Sequence, residues 1–299
     1  MSLATLPPLR GELREREPMA GHVSWRAGGP AALWFRPADA EDLATFLAAY
    51  EGEVLPVGLV SNLLVRDGGW PGAVIILYDV FTTLDIDAQS GRVETGAGVH
   101  CATLATQCAK AGLAGATFFG GIPGSIGGAL AMNAGAWGGE TWEVVEGVEV
   151  LHRDGRRERL DAQAFETGYR HARGPSEALI YLAATLALRP GGDVPALRAE
   201  LREMLAERRA KQPVGQPSCG SVFRNPEGDH AAALIERCGL KVHRIGEAEV
   251  STKHANFILN RGAARAADIE ALLLEVQRRV AESTGIRLQP EVRIVGEAA

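Results

Sequence analysis

Apolar and polar positions along this chain repeat with two periods, and the changes of period mark out its elements. Residues 39–50, DAEDLATFLAAY, open on acidic side chains and repeat apolar ones at Leu43, Phe46, Leu47 and Tyr50, the spacing of a helix with one buried face. EVLPVG (53–58) and AVIIL (73–77) are short apolar runs bounded by Gly and Pro, which predicts buried strands. HCATLATQCAKAG (100–112) predicts a second helix closed by Gly112, and 144–160 predicts a hairpin turning at Asp154-Gly155. ALIYLAATLAL (178–188) is another strand-like run, and Pro190-Gly191-Gly192 breaks the pattern after it. Beyond the break, 195–212 is a long amphipathic helix with Leu197, Leu201, Met204 and Leu205 on one side, ended by Pro213. A second long helix is predicted over 265–283, with Ile269, Leu272, Leu273, Val276 and Val280 in phase. In the final stretch, 287–296, Glu291 and Arg293 share one strand face while Val292 and Ile294 share the other. A domain boundary is therefore expected near 190–193. No internal repeat or low-complexity tract is present.

Composition narrows the class. A chain of 299 residues has room for two or three domains, and 46% hydrophobic with 23% charged residues is ordinary for a globular enzyme. No apolar run approaches the ~18 residues of a membrane span. The first residues, MSLATLPPLRGELRERE, lack a secretory layout, so a cytoplasmic protein is expected, with no membrane partner. A net charge of −6 argues against nucleic-acid binding. The local cluster Arg202, Arg208, Arg209 and Lys211 reads on its own as a solvated helix face. Cys101, Cys108, Cys219 and Cys238 show no metal-ligand spacing; buried, reduced thiols and no metal site are expected. Oligomeric state is not legible.

The chemistry begins with glycine. GLVSNLLVRDGG (58–69), GAGV (96–99) and GGIPGSIGGALAMNAGAWGG (120–139) each follow or join strand-like sequence. Glycine lets backbone N–H groups approach a phosphate. Ser125 stands where the N-cap of a short helix belongs, an end that favours an anion. The dinucleotide pattern G-x-G-x-x-G with a distant acidic residue is not met. Taken alone, these glycines suit tight turns in a compact domain as well as they suit phosphate binding.

Read in order, WRAGGPA (25–31), GLVSN (58–62), GAG (96–98), GGIPGSIGGALAMNAGAWG (120–138), GYR (168–170), RRAKQP (208–213), CGSVFRNP (219–226), IGEAEVSTKHANFILN (245–260) and QPEVRIVG (289–296) make the chain resemble the UDP-N-acetylenolpyruvoylglucosamine reductase family. The likeness covers nearly the whole chain and is closest to the shorter form of the family. It implies an α+β protein: an FAD-binding portion of the vanillyl-alcohol-oxidase (PCMH) type over 1–190, in two lobes split near 78, and an α+β substrate-binding domain over 191–299. The last strand, near 287–296, would close the cleft. Two positions depart from the family pattern: Val60 replaces the second glycine of a G-x-G-S-N loop, and Ala172 stands where a serine is usual.

The resemblance also implies roles. FAD would be held non-covalently, since the loop at 58–62 offers Ser61-Asn62 rather than His or Cys. Its contacts would come from Arg26, Gly58, Ser61, Asn62, Gly96, Gly98, Gly121, Ile122, Pro123, Gly124, Ser125, Gly127, Gly128, Asn133, Ala134 and Gly135. NADPH would be the co-substrate and UDP-N-acetylglucosamine-enolpyruvate the substrate, reduced to UDP-N-acetylmuramate for peptidoglycan precursor synthesis. Hydride would come from flavin N5 and a proton from Ser221, with the enolate stabilised by Arg170 and Glu291. Lys211, Arg208, Asn225, His254 and Tyr169 would hold the UDP part, which gives the basic cluster a partner. Two other readings stay open on the residues alone: an oxidase or electron-transfer flavoprotein of the same fold, and a nucleotide-sugar-binding protein without redox activity.

Overall fold

The computed structural model describes residues 6–176 and 179–299 and resolves into two compact units that interleave along the chain. The first comprises the chain up to Arg14, Trp34–Leu59 and Ala73–Glu207; the second comprises Glu15–Leu33, Val60–Gly72 and Arg208–Ala299.

In the first unit, helix α1 (Ala40–Ala49) starts where Asp39 accepts the N–H of Asp42 at 3.0 Å. The buried carboxylate of Asp42 accepts three further backbone N–H groups, from Arg10, Gly11 and Ala38. Leu43, Phe46 and Leu47 face inward, and Phe46 stacks between Phe35 and Tyr50. The apolar runs form parallel neighbours, Val54–Val57 pairing with the Ala73–Ile76 part of the strand Trp70–Ile76. A five-stranded antiparallel sheet follows, in the order Arg157–Asp161, Val145–Leu151, Ile180–Ala187, Arg92–Gly96, Leu84–Ile86. The expected hairpin is its outer pair, with Gly155 left-handed at φ 84° in the turn. Helices α2 (Cys101–Lys110) and α3 (Ile126–Met132) contribute Leu104, Cys108, Ile126 and Leu130 to the core of this unit. Helix α4 (Val194–Lys211) adds Leu197 and Leu201, with Gly120 bare where a Cβ would lie 2.4 Å from the Leu201 side chain.

The second unit centres on Trp25, fully buried, whose indole N–H donates to the Ile258 carbonyl at 2.7 Å. Around it lie a small antiparallel sheet (Arg244–Ile245, Ala248–Val250, Ile258–Asn260) and helices α5 (Ala231–Arg237) and α6 (Ala266–Thr284). The stripe Ile269, Leu272, Leu273, Val276 and Val280 of α6 is buried as its spacing requires. Asp67 caps the start of α6 by accepting the N–H groups of Ala266 and Ala267 at 3.0 and 2.9 Å.

The strand expected over 287–296 is only three residues long, Arg293–Val295. Pro290 has no N–H to offer a ladder and limits the regular pairing. The strand finds its partner in Leu63–Val65, lying parallel to it. The predicted alternation survives locally, with Val292 buried between half-buried Glu291 and exposed Arg293.

Candidate functional site

In the first unit the glycine-rich loops at 96–99 and 120–139 are knitted to one another by backbone. Ile126 donates to the Val99 carbonyl at 2.9 Å, Gly127 to Ala97 at 2.8 Å and Cys101 to Gly124 at 3.0 Å. The 96–99 loop also packs where only bare α-carbons fit: a Cβ at Gly96 would lie 2.1 Å from the Phe81 carbonyl oxygen, and one at Gly98 2.5 Å from that of Leu77. A Cβ at Gly58 would lie 2.2 Å from Ser125 Oγ. Ser125 holds the extended backbone of an N-cap (φ −94°, ψ 163°), yet its side chain caps nothing. Its Oγ is buried and has no hydrogen-bond partner within the protein. Burying a hydroxyl without a partner is unfavourable by about 1–3 kcal/mol. An orphaned hydroxyl beside a glycine cradle is the arrangement a phosphate oxygen completes, so these residues fit the pyrophosphate of FAD. Gly128 is exposed, with Ser125 Oγ the only atom close to its would-be Cβ, at 3.9 Å.

The segment 120–139 continues in the same unit. Gly121 lies under Trp137, where a Cβ would meet the indole Cζ3 at 2.1 Å; Ile122 is buried and Pro123 exposed. Asn133 closes α3 in the left-handed region at φ 42°. Its amide donates to Glu140 Oε2 (2.8 Å) and the Gly168 carbonyl (3.0 Å), while its Oδ1 accepts the Trp142 N–H (3.1 Å). The Ala134 carbonyl takes both the N–H and the hydroxyl of Thr141. The Asn133 side chain is thus an internal clamp, and what it clamps is the next element of the site. Strands Glu166–Gly168 and His171–Arg173 form a hairpin with Tyr169 and Arg170 at its turn. Arg170 holds φ 54°, its guanidinium lies 5.0 Å from the Tyr169 ring centre, and one NH2 donates to the Gly135 carbonyl at 3.2 Å. Ala172 is half-buried in the same hairpin, opposite Thr167.

The second unit brings Ser221 and Glu291 together. Glu291 donates its N–H to the carbonyl of Val222, the residue after Ser221, at 2.8 Å; Arg224 donates to Gln289 at 2.9 Å. Gly220 is left-handed at φ 81°, which turns the chain into this contact. On the other side of Glu291, Asn62 donates its side-chain amide to the Glu291 carbonyl at 3.1 Å and accepts the Arg293 N–H at 3.1 Å. Arg26 is exposed at φ 56°, and Ser61 is half-buried. Cys219 is buried; burial and then the nearby Glu291 carboxylate push its thiol well above the usual range, which makes it a packing residue.

Asn256 is a residue that sequence reasoning quoted within a motif without singling out. Its Oδ1 accepts the Phe223 N–H, its amide donates to the Phe223 carbonyl, and its own carbonyl accepts the Val222 N–H, all within 2.9 Å. It pins the segment that carries Ser221. Only its burial distinguishes it, and a polar letter inside the apolar run ANFIL was the available signal.

The residues expected at the UDP part sit as follows. Arg208 is half-buried, and desolvation lowers its pKa; its Nε donates to Gln212. Lys211 is exposed at the end of α4. Asn225 Oδ1 accepts the Ala231 N–H at the start of α5 (3.1 Å). His254 packs edge-on to Phe257, and its buried Nδ1 has no partner. Burial first, and the positive charge of Lys241 second, lower its pKa. These four belong to the second unit, while Tyr169 and Arg170 belong to the first. Among the described residues no group of three or more His, Cys, Asp or Glu is placed to hold a metal ion, and no helix is long and apolar enough to cross a membrane.

Known proteins resemble this chain over nearly its whole length. Residues 31–161 match the model of an FAD binding domain, and residues 212–295 match that of the UDP-N-acetylenolpyruvoylglucosamine reductase C-terminal domain. The chain is 53% identical over 290 residues to the UDP-N-acetylenolpyruvoylglucosamine reductase of Alkalilimnicola ehrlichii, covering 96% of each chain. It is 51% identical over 296 residues to the enzyme of that name from Methylococcus capsulatus, covering 98% of this chain and 96% of the relative. The crystal structure of UDP-N-acetylenolpyruvylglucosamine reductase from Thermus caldophilus superposes with a TM-score of 0.81 at 34% identity, over 96% of this chain and 99% of that one.

Proposed function

We propose a division of labour among named residues for this chain, which belongs to the UDP-N-acetylenolpyruvoylglucosamine reductase family and is a flavin oxidoreductase of peptidoglycan precursor synthesis that uses FAD and NADPH. The FAD-binding portion is assigned to 1–190, in two lobes split near 78, and the substrate-binding domain to 191–299. FAD held by these residues, with NADPH as its reductant, would supply a hydride from N5 to the methylene carbon of UDP-N-acetylglucosamine-enolpyruvate, giving UDP-N-acetylmuramate once a proton is added.

The pyrophosphate of FAD is received by the cradle of Gly58, Gly128 and Ser125, the Ser125 hydroxyl gaining there the partner it lacks within the protein. Gly127 lets its loop approach Ala97, while Gly96 and Gly98 let the 96–99 loop pass the Phe81 and Leu77 carbonyls. Gly121, Ile122, Pro123, Gly124 and the backbone of 133–135 extend the bed, and Arg26, Ser61 and the backbone of Asn62 are assigned to FAD as well, the Asn62 side-chain amide being engaged by the Glu291 carbonyl.

Hydride addition places negative charge on the neighbouring carbon and its carboxylate. Arg170 meets that carboxylate with a guanidinium already oriented by Tyr169 and the Gly135 carbonyl. Ser221 delivers the proton to the carbon. Glu291 shares the enolate with Arg170 and orients the donor, a role supported by the backbone bond that ties it to the residue after Ser221. Arg208 and Lys211 neutralise the substrate pyrophosphate, with Asn225, His254 and Tyr169 as uncharged partners. Half-burial makes Arg208 the stronger of the two cations toward phosphate, since less water competes.

The observation that carries this reading is the pairing of Glu291 with the Ser221 segment. Stopped-flow spectroscopy of Ser221→Ala tests it. NADPH should bleach the flavin at the parent rate, and re-oxidation by UDP-N-acetylglucosamine-enolpyruvate should slow by about a hundredfold or more. Two fast half-reactions would remove Ser221 from the proton step.

A further inference from the structure

Asn62 lies in the loop that the sequence associates with the flavin, and its side-chain amide is engaged by the Glu291 carbonyl. The amide nitrogen donates to the Glu291 carbonyl at 3.1 Å, and the backbone carbonyl of Asn62 accepts the N–H of Arg293 at 3.1 Å. These two bonds bracket Glu291 from one side. From the other side, the Val222 carbonyl accepts the N–H of Glu291 at 2.8 Å and that of Val292 at 3.4 Å. Glu291 itself sits outside the regular strand, which begins only at Arg293. The preceding Pro290 has no N–H of its own to add. The Asn62 amide acts from its side chain on the carbonyl of Glu291 and so helps fix the backbone from which the Glu291 side chain departs.

We infer that Asn62 is a positioning residue for Glu291: its amide fixes the peptide that aims the Glu291 carboxyl at the reacting substrate. The inference rests on the role proposed above for Glu291. Removing the amide leaves the Asn62 carbonyl, and hence the strand register at Arg293, in place. The chain therefore folds and binds flavin while the Glu291 carboxyl loses its aim. A misplacement on the order of 1 Å slows a step by about a hundredfold.

The test uses holoenzyme in stopped-flow, with Asn62→Ala and the near-isosteric Asn62→Asp, each alone and with Glu291→Gln. Both single variants should purify with full flavin and be reduced by NADPH within about twofold of the parent rate. Re-oxidation by UDP-N-acetylglucosamine-enolpyruvate should slow about 10–100-fold. Asn62→Asp should regain part of that rate at acidic pH, where a protonated carboxyl can again donate. In the Glu291→Gln background the same Asn62 changes should add less than about twofold, because coupled residues are not additive. Loss of flavin from Asn62→Ala would make the Asn62 side chain a cofactor ligand and overturn the inference, as would an unchanged re-oxidation rate. Equal slowing in both backgrounds would overturn it too. A Glu291→Gln enzyme that re-oxidises at the parent rate would instead remove the role of Glu291 itself, a result read separately from the Asn62 variants.

Discussion

Val60 and Val242 hold the same unusual backbone in very different surroundings, so the same substitution should act in opposite directions at the two positions. Both have φ in the left-handed region, 48° and 59°. A Cβ there crowds the following carbonyl, at roughly 1–2 kcal/mol per residue, and a β-branched side chain is the least suited to it. Val60 is 5% exposed and Val242 is 58% exposed. Val242→Gly relieves the crowding and loses almost no burial. The greater freedom of glycine in the unfolded chain takes back about 0.5–1 kcal/mol. The net is a stabilisation of about 0.5–1 kcal/mol, which for a chain of this size raises Tm by roughly 2 °C. Val60→Gly gains the same relief but forfeits a buried valine, about 1.5–3 kcal/mol. It should therefore be destabilised by about 1–2 kcal/mol. Alanine at either position keeps the Cβ, so glycine should match or exceed alanine at both, the reverse of the order at ordinary φ. Urea unfolding at pH 7 followed by fluorescence and circular dichroism gives the midpoints. The reasoning is refuted if Val242→Gly lowers the midpoint, or if alanine is the more stable replacement at both positions.

Two further outcomes follow from ionisation. Burial and Lys241 lower the pKa of His254 below the ordinary 6.5 while Glu236 opposes them, so between the two values the unfolded chain binds more protons. Stability from this residue is complete above about pH 7 and is lost as pH falls through 6.5 toward the folded value. His254→Gln should flatten the fall in Tm between pH 7.5 and 5.5, and an unchanged slope would exclude the residue as its source. Burial pushes the thiols of Cys101 and Cys108 up to about 12 and that of Cys219 well above 9.0. A disulfide reagent at pH 8 should modify only half-buried Cys238 in the native protein and all four thiols in urea. Rapid native labelling of a second cysteine would contradict the burial described.

Much of this was legible in the residues because it is local. The α6 stripe from Ile269 to Val280, the hairpin turn at Gly155 and the cap position of Ser125 depend on neighbours a few residues away. The glycine loops announced close backbone approach, and the motif order pointed to the flavin family. What no local pattern could reveal is where partners come from. Leu63–Val65 reads as any short apolar run, yet it pairs with Arg293–Val295 at the far end of the chain. Asn256 reads as a polar letter in a motif and Asn133 as one of the expected FAD contacts; burial makes a clamp of each side chain, one under the Arg170 hairpin and one behind Ser221.

By itself, then, the sequence determined the helices, the apolar runs, the glycine-lined loops and the residue types that flavin and UDP-sugar chemistry need. Propensity, periodicity and the absence of a Cβ act within a few residues, and they are written in order along the chain. Only the tertiary structure decided that Val60 and Arg170 adopt left-handed backbones, that the Ser125 hydroxyl is left without a protein partner, and that the Asn62 amide bonds the Glu291 carbonyl. Those outcomes depend on which distant backbone groups must be satisfied once water is excluded, and that is settled when the segments meet.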